Sequence, residues 1–233
     1  MLKELREQVL EANLELVRRG LVIYTFGNAS GISRDDGLVA IKPSGVPYET
    51  MRPDDLVITD LEGRIVEGTL RPSSDLATHL VLYRVFPRIG GVVHTHSRYA
   101  TSWAQARRPI PCLGTTHADY FRGPVPVTLA MSPQEIDAAY EANTGEVIAR
   151  HFASGDAMDV PAVLVAGHGP FCWGPTAAEA AHNAVILEYV AEMALYSVTL
   201  ADTAEELHPA HLDKHFLRKH GAAAYYGQKS GAD

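Results

Sequence analysis

The sequence predicts an α/β fold with a sheet that is antiparallel in at least one part. Three observations carry this: an amphipathic period at the N-terminus, two helix-start signatures further on, and short β-rich runs crowded too closely for crossover helices. Leu2, Leu5, Val9, Ala12 and Leu16 keep the 3,4 spacing of a helix with one apolar face, which Gly20 closes. Four β-rich runs follow: LVIYTFG (21–27), GLVAIKPSG (37–45), DLVITD (55–60) and GRIVEG (63–68). Parallel neighbours need a connection of about a dozen residues, so these runs pair antiparallel and a regular βαβ alternation fails. Ser73 and Ser74 in RPSSD open a helix that Pro87 stops. Three more runs read as strands: GGVVHTH (90–96), GPVPVTL (123–129) and PAVLVAGHG (161–169). Ser132 with Glu135, and Thr176 with Glu179, are capping boxes. The helix beginning at Thr176 continues through 177–200 and is apolar on more than one face, as for a helix covered by neighbours or by another subunit.

The chain of 233 residues, 46% hydrophobic, is enough for one large core, and one domain over residues 1–228 is expected, with 229–233 (KSGAD) as a disordered tail. A formal charge of −8 opposes duplex nucleic acid or an anionic membrane as the main partner, because both select a basic field. A small-molecule substrate is expected instead. The charged, periodic start MLKELREQVLEANLELV is neither a secretion signal nor a spanning helix. Cys112 and Cys172 are far apart, with no C-x-x-C spacing, which suits free thiols in the cytoplasm.

The chemistry concentrates on histidine. Two residues apart on a strand, His94 and His96 project to the same face, about 6.6 Å from each other along the chain. His168, between Gly167 and Gly169, also follows an apolar run. Three imidazoles at strand ends with an open fourth position form the ligand set of a catalytic zinc or a similar divalent ion. The bland alternative is three separate buried histidines, and His117 is a competing ligand that spacing leaves open. Other polar clusters suit an anion. KPSG (42–45) sets a cation, a hydroxyl and a flexible turn after a strand, and RPSSD places Ser73 and Ser74 at a helix N-terminus, where free N–H groups favour negative charge. Taken one at a time, each is equally ordinary turn or cap chemistry. FGNASG (26–31) carries the same ambiguity.

The order GNAS, KPSG, PSSD, HTHS, GTTHADYF and HGPFCWG, closed by LDKHFLRKHGAAAYYGQ, resembles the class II aldolase and adducin-related family from the first helix to Gln228. Within it, the GTTHADYF loop and the closing segment resemble the sugar-phosphate 4-epimerases. That resemblance implies a single α/β domain, a central, mostly antiparallel sheet flanked by helices on both sides, assembled as a C4 homotetramer with active sites between subunits. It implies one divalent ion per subunit, zinc first with manganese or cobalt as alternatives, on His94, His96 and His168, with Asp75 near or on the metal. Gly27, Asn28, Ser44, Gly45, Ser73 and Ser74 match substrate and phosphate contacts, and Lys42 is an electrostatic helper. The implied reaction interconverts L-ribulose 5-phosphate and D-xylulose 5-phosphate, a step of arabinose catabolism. The hydrogen at C4 is not acidic, so the route is retro-aldol cleavage of C3–C4, with the metal as Lewis acid, and re-addition to the other aldehyde face. Asp119 and Tyr226 match the proton-transfer residues, with Tyr226 reaching in from a neighbouring subunit, and Thr115, Glu141 and His215 match supporting positions. Two other readings belong to the same family. An aldolase acting on a fuculose-type sugar phosphate would carry glutamate where this chain has Asp75, and a non-enzymatic module like the adducin head would have lost metal ligands. An epimerase for a related pentulose phosphate is a further alternative.

Overall fold

The computed structural model describes residues 2–201 and 203–226, so the tail expected at 229–233 lies outside the described residues. Seven strands form one sheet in the order β4-β3-β2-β1-β5-β7-β6. They are β1 (Asn28–Ser33), β2 (Leu38–Ile41), β3 (Val57–Asp60), β4 (Ile65–Glu67), β5 (Gly91–His94), β6 (Ala162–Leu164) and β7 (Pro170–Gly174). Every adjacent pair is antiparallel, so the crowding of runs before residue 68 reported the pairing correctly. The helices are α1 (Leu2–Arg18), α2 (Leu76–Val85), α3 (Arg98–Gln105), α4 (Thr115–Ala118), α5 (Pro133–His151), α6 (Ala177–Leu200) and α7 (Pro209–His220).

Alternation along the strands sorts side chains into two cores. Val39, Ile41, Val57, Val92, Val163 and Phe171 face α2 and α5, packing with Leu80, Tyr83 and Ile148. Ala29, Ala40, Ile58, Val93, Ala162 and Cys172 face the other way, against Val9 and Leu16 of α1, Trp103 of α3 and Leu187 of α6. Helices therefore cover both faces of the sheet. Gly91 is what lets α6 start so close to β5, since a Cβ there would stand 2.4 Å from the Ala177 Cα. The ends of α1 and α5 match the sequence. Gly20 has φ +71°, and Leu21 N–H donates to the Leu16 carbonyl at 2.9 Å, a left-handed closure of α1. Ser132 and Glu135 form the full reciprocal capping box at α5, whereas at α6 Thr176 accepts from the Glu179 N–H.

Two runs expected as strands are not. LVIYTFG is a turn: Ile23, Tyr24 and Phe26 stand 61%, 84% and 60% exposed, and Tyr24 adopts φ 53°. The strand begins only at Asn28. GPVPVTL makes no more than isolated bridges, Val125 to Ile110 and Val127 to Leu164, because Pro124 and Pro126 have no N–H to give a ladder. No helix among the described residues is long and apolar enough to cross a membrane.

Burial leaves a titration signature. His79 on α2 and His117 on α4 are both pushed down to about 4 by desolvation, against Asp75 for His79 and the Gly123 carbonyl for His117. Both are neutral in the folded state, while the unfolded chain protonates near the ordinary value of about 6.5. Stability from these groups is therefore complete above pH ~6.5 and is lost as pH falls toward 4. Each should contribute about 1.4 kcal/mol per pH unit near pH 5. Denaturant unfolding at pH 7 and pH 5 should show His117→Gln flattening the acid slope by that amount; an unchanged slope would mean that His117 is protonated in the folded chain.

Candidate metal centre

The register of three strands builds the centre of the site. Asn28 on β1 lies opposite His94 on β5, and His94 lies opposite Phe171 on β7. Directly opposed residues of antiparallel strands point to the same face, so the three side chains form one row across the sheet. Phe171 stacks flat on the His94 imidazole, with centroids 4.2 Å apart and planes at 16°. Nδ1 of His94 donates to the Pro170 carbonyl at 2.9 Å, which leaves Nε2 of the neutral ring as a bare lone pair facing His96 Nε2 at 3.1 Å. A tetrahedral zinc with bonds near 2.0–2.1 Å would set its nitrogen ligands about 3.3 Å apart, so the pair fits.

His168 completes the trio from the turn between β6 and β7, beyond the end of β6 and not on a strand as the apolar run suggested. Its ring centroid is 4.7 Å from His94 and 5.1 Å from His96. One potential ligand atom from each histidine lies within 4.8 Å of the others. Tyr140 Oη hydrogen-bonds His168 Nδ1 at 3.3 Å, so Nε2 is the nitrogen left for a cation. Burial pushes His94 down to about 3, with the two neighbouring imidazoles adding to it and Asp75 opposing. Burial also lowers His96 and His168. Neutral imidazoles are what metal ligation requires. His117 is not part of the trio: it is buried, and its Nε2 donates to the Gly123 carbonyl.

Asp75 borders the same cavity at the start of α2, where it makes no capping bond. Its carboxylate instead accepts from Asn28 Nδ2 at 2.6 Å. Burial pushes the Asp75 carboxyl up, but His94, His79 and the Asn28 amide outweigh this and hold it below the usual range. Asn28 Oδ1, buried at the cavity wall, has no partner within the protein. The two serine turns are bonded side by side, Ser44 N–H to the Arg71 carbonyl and Ser73 N–H to the Lys42 carbonyl, each 2.9 Å. The readings that were ambiguous one at a time thus converge. Gly27, Asn28, Lys42, Ser44, Gly45, Ser73, Ser74, Asp75 and the three histidines all border one cavity of about 360 Å³. Gly27 is required there, since at φ +113° a Cβ would stand 2.9 Å from the His94 carbonyl oxygen.

Lys42 is tied to the backbone of the turn that follows it. Its Nζ donates to the Pro43 and Val46 carbonyls at 3.1 and 2.8 Å and lies 4.7 Å over the Tyr48 ring. Burial lowers it to about 8. It closes the Ser44–Gly45 turn and supplies charge from behind it. Sequence reasoning passed over Tyr140, and Glu141 beside it entered only by resemblance. Both border the cavity because α5 breaks at Ala139 (φ −156°, ψ 72°). Side chains take up nearby carbonyls: Asn143 bonds Glu135 O, Thr144 bonds Tyr140 O, and Thr78 bonds Glu141 O.

Asp119 and Tyr226 do not border this cavity. Each lies elsewhere, against Arg218 of α7. Arg218 donates to both Asp119 oxygens, with Nη2 at 2.8 Å from each, and its guanidinium carbon lies 4.7 Å from the Tyr226 ring centroid. His215 Nδ1 also bonds Asp119, at 3.0 Å. Thr115 lies at the start of α4, outside the cavity.

A seven-stranded antiparallel sheet with a three-histidine centre at the ends of its strands defines a class of protein. The chain belongs to the class II aldolase and adducin N-terminal domain family, whose pattern matches residues 7–195. Among solved structures it is similar to an L-fuculose 1-phosphate aldolase, at 25% identity over 91% of this chain and 94% of the other, with a TM-score of 0.76. It is also similar to YgbL from Klebsiella pneumoniae (26% identity, 92% and 98% covered, TM-score 0.71). The L-fuculose-1-phosphate aldolase of Thermus thermophilus is a third (27%, 87% and 100%, 0.68). Class II aldolases use a divalent metal, typically zinc, and the donor set here fits one.

Tyr140→Phe removes the partner of His168 Nδ1 and leaves the three ligands in place. Cobalt titration of metal-free protein should show affinity falling about 10–100-fold. His94→Ala should abolish stoichiometric binding, and full metal occupancy in that variant would refute the centre.

Proposed function

We propose that the protein is a metal-dependent 4-epimerase interconverting L-ribulose 5-phosphate and D-xylulose 5-phosphate by cleavage and re-formation of the C3–C4 bond. The observation that carries it is the shared cavity: a cation site and two hydroxyl-bearing turns side by side suit a substrate with adjacent oxygens at one end and a phosphate at the other. When bound, the cation supplies Lewis acidity for the charge left on the three-carbon fragment. His94, His96 and His168 would hold it, and Asn28 orients Asp75 beside them. Ser44, Ser73, Ser74 and adjoining N–H groups hold the phosphate, so the aldehyde fragment turns without leaving. Charged hydrogen bonds of this kind contribute about 1.5–3 kcal/mol each. Asp119 and Tyr226 exchange the C4 hydroxyl proton, one at each aldehyde face, so the proton taken at one face is matched by one returned at the other.

Because that pair stands outside the cavity of its own chain, we assign it to the cavity of an adjacent subunit in a homotetramer. The C4 tetramer, zinc as the resident metal and a place in arabinose catabolism belong to the same proposal. So does a cytoplasmic location, with which the two free, buried cysteines agree. The second reading is an aldolase that releases its fragments, and the similarity to two L-fuculose-1-phosphate aldolases favours it. Asp75 in the place of glutamate, and the Asp119–Tyr226 cluster, favour the epimerase.

A coupled D-xylulose 5-phosphate assay on the zinc-loaded protein should show epimerisation with almost no free glycolaldehyde phosphate. Release of aldehyde and ketone at a rate rivalling epimerisation would establish the aldolase instead. Subunits carrying Tyr226→Phe mixed with subunits carrying His96→Asn should regain activity through sites that draw both intact residues. Hybrid tetramers with no recovery would place Tyr226 outside a shared site.

A further inference from the structure

Arg218 is the residue in which the contacts of Asp119 and Tyr226 meet. Its Nε and Nη2 donate to Asp119 Oδ1 at 3.1 and 2.8 Å, and Nη2 also reaches Oδ2 at 2.8 Å. Its backbone carbonyl accepts from the N–H groups of Tyr225 and Tyr226, at 3.0 and 3.1 Å, which folds the chain after α7 back onto the helix. Its guanidinium then lies 4.7 Å from the Tyr226 ring centroid. No other residue contacts both groups through side chain and backbone together, among the described residues. Lys219 assists from the adjacent position, 3.7 Å from Asp119 Oδ2 and 4.7 Å from the same ring.

We infer that Arg218 is the positioning residue of the proton-transfer pair, holding the Asp119 carboxylate at the N–H edge of its guanidinium and the Tyr226 ring close beside it. This rests on the proposed function. An arginine suits the task because its planar fork fixes a carboxylate in orientation as well as in place, while its face accepts an aromatic ring. A lysine would supply charge without the plane. The groups facing Asp119 are Arg218, His215 and Lys219, all from α7, with His220 Nε2 on its backbone carbonyl at 2.9 Å. The nearby Arg122 is engaged by Asp213 and Asp159. Burial pushes the Asp119 carboxyl up, and the bonds from Arg218 and His215 together with the Lys219 charge bring it below the usual range. It therefore stands ready as a proton acceptor.

The test uses the full-length, metal-loaded enzyme with Arg218→Met, which removes charge and fork, and Arg218→Lys, which keeps charge alone. A loss of position on the order of 1 Å costs about 10²-fold in turnover. Both variants should lose kcat on that scale, with metal content and KM near wild type. A purely structural role would lower thermal stability and leave kcat per folded, metal-loaded subunit near wild type. If Arg218→Met fails to fold, Arg218→Lys decides: wild-type kcat in it overturns the inference. So does kcat within about twofold of wild type in a folded Arg218→Met, on the scale of the predicted 10²-fold loss. The underlying reading fails separately, through Asp119→Asn and Tyr226→Phe that both epimerise normally. If those two matter and Arg218→Met does not, the pair stands and Arg218 does not position it.

Discussion

The hydrogen bond from His94 Nδ1 to the Pro170 carbonyl, 2.9 Å long inside a fully buried row of side chains, is the constraint on which the metal centre depends. It decides the tautomer, and the tautomer decides which nitrogen is free for a cation. Pro170 can serve because, as the first residue of β7, its carbonyl is positioned while its missing N–H costs the ladder nothing. The stack of Phe171 on His94 fixes the ring plane. Burial then keeps the imidazole neutral, so ligation displaces no proton from it. Sheet register, one carbonyl and one aromatic face thus place the most deeply buried of the three ligands, and His96 and His168 converge on it from the loop after β5 and the turn between β6 and β7.

The two halves of the proposed chemistry rest on different supports. Asn28 and His94 belong to strands, and Asp75 with the serine turns sits where strands and α2 meet, all held by backbone bonds of about 3 Å. Ligands that must keep bond lengths within tenths of an ångström gain from such a base. Asp119 and Tyr226 belong instead to the end of a four-residue helix and to the chain after α7, and Tyr226 is 58% exposed. There the precision comes from side chains, chiefly Arg218, not from the sheet.

What the sequence made legible follows the same division. Period-two spacing anticipated that His94 and His96 come together, although β5 ends at His94 and His96 reaches it from the loop that follows, and capping chemistry located the starts of α5 and α6 to the residue. The serine turns were visible but ambiguous one by one, since a phosphate turn and an ordinary turn use the same residues; that they lie side by side at one cavity is a property of the fold and not of either segment. Tyr140 was not legible. Its position depends on a break at Ala139, and alanine is a good helix former that gives no sign of one. Arg218 was hidden for the opposite reason. A basic residue in the last turn of a helix is ordinary complement to the macrodipole, so its contacts with Asp119 and Tyr226 leave no mark in the pattern. The misplaced strand at 21–27 shows the limit of composition: aromatic and β-branched residues there stand in solvent beside the cavity, and Asn28 after them begins the ladder.

Charge distribution links the two halves. The chain as a whole is acidic, at −8, yet around Asp119 it gathers Arg218, Lys219, His215 and His220. The cavity holds Asp75 and Glu141 at its wall beside the three histidines, with Lys42 turned to the carbonyls behind. Two surfaces of one chain built from different residues suit a head-to-tail contact, in which one patch meets the other patch of the next copy. Such contacts close into rings when the rotation permits, as a fourfold arrangement does. In a ring of that kind the cationic cluster would meet a cavity that receives a phosphate dianion, and the favourable sign of that encounter supports placing the proton-transfer pair in trans.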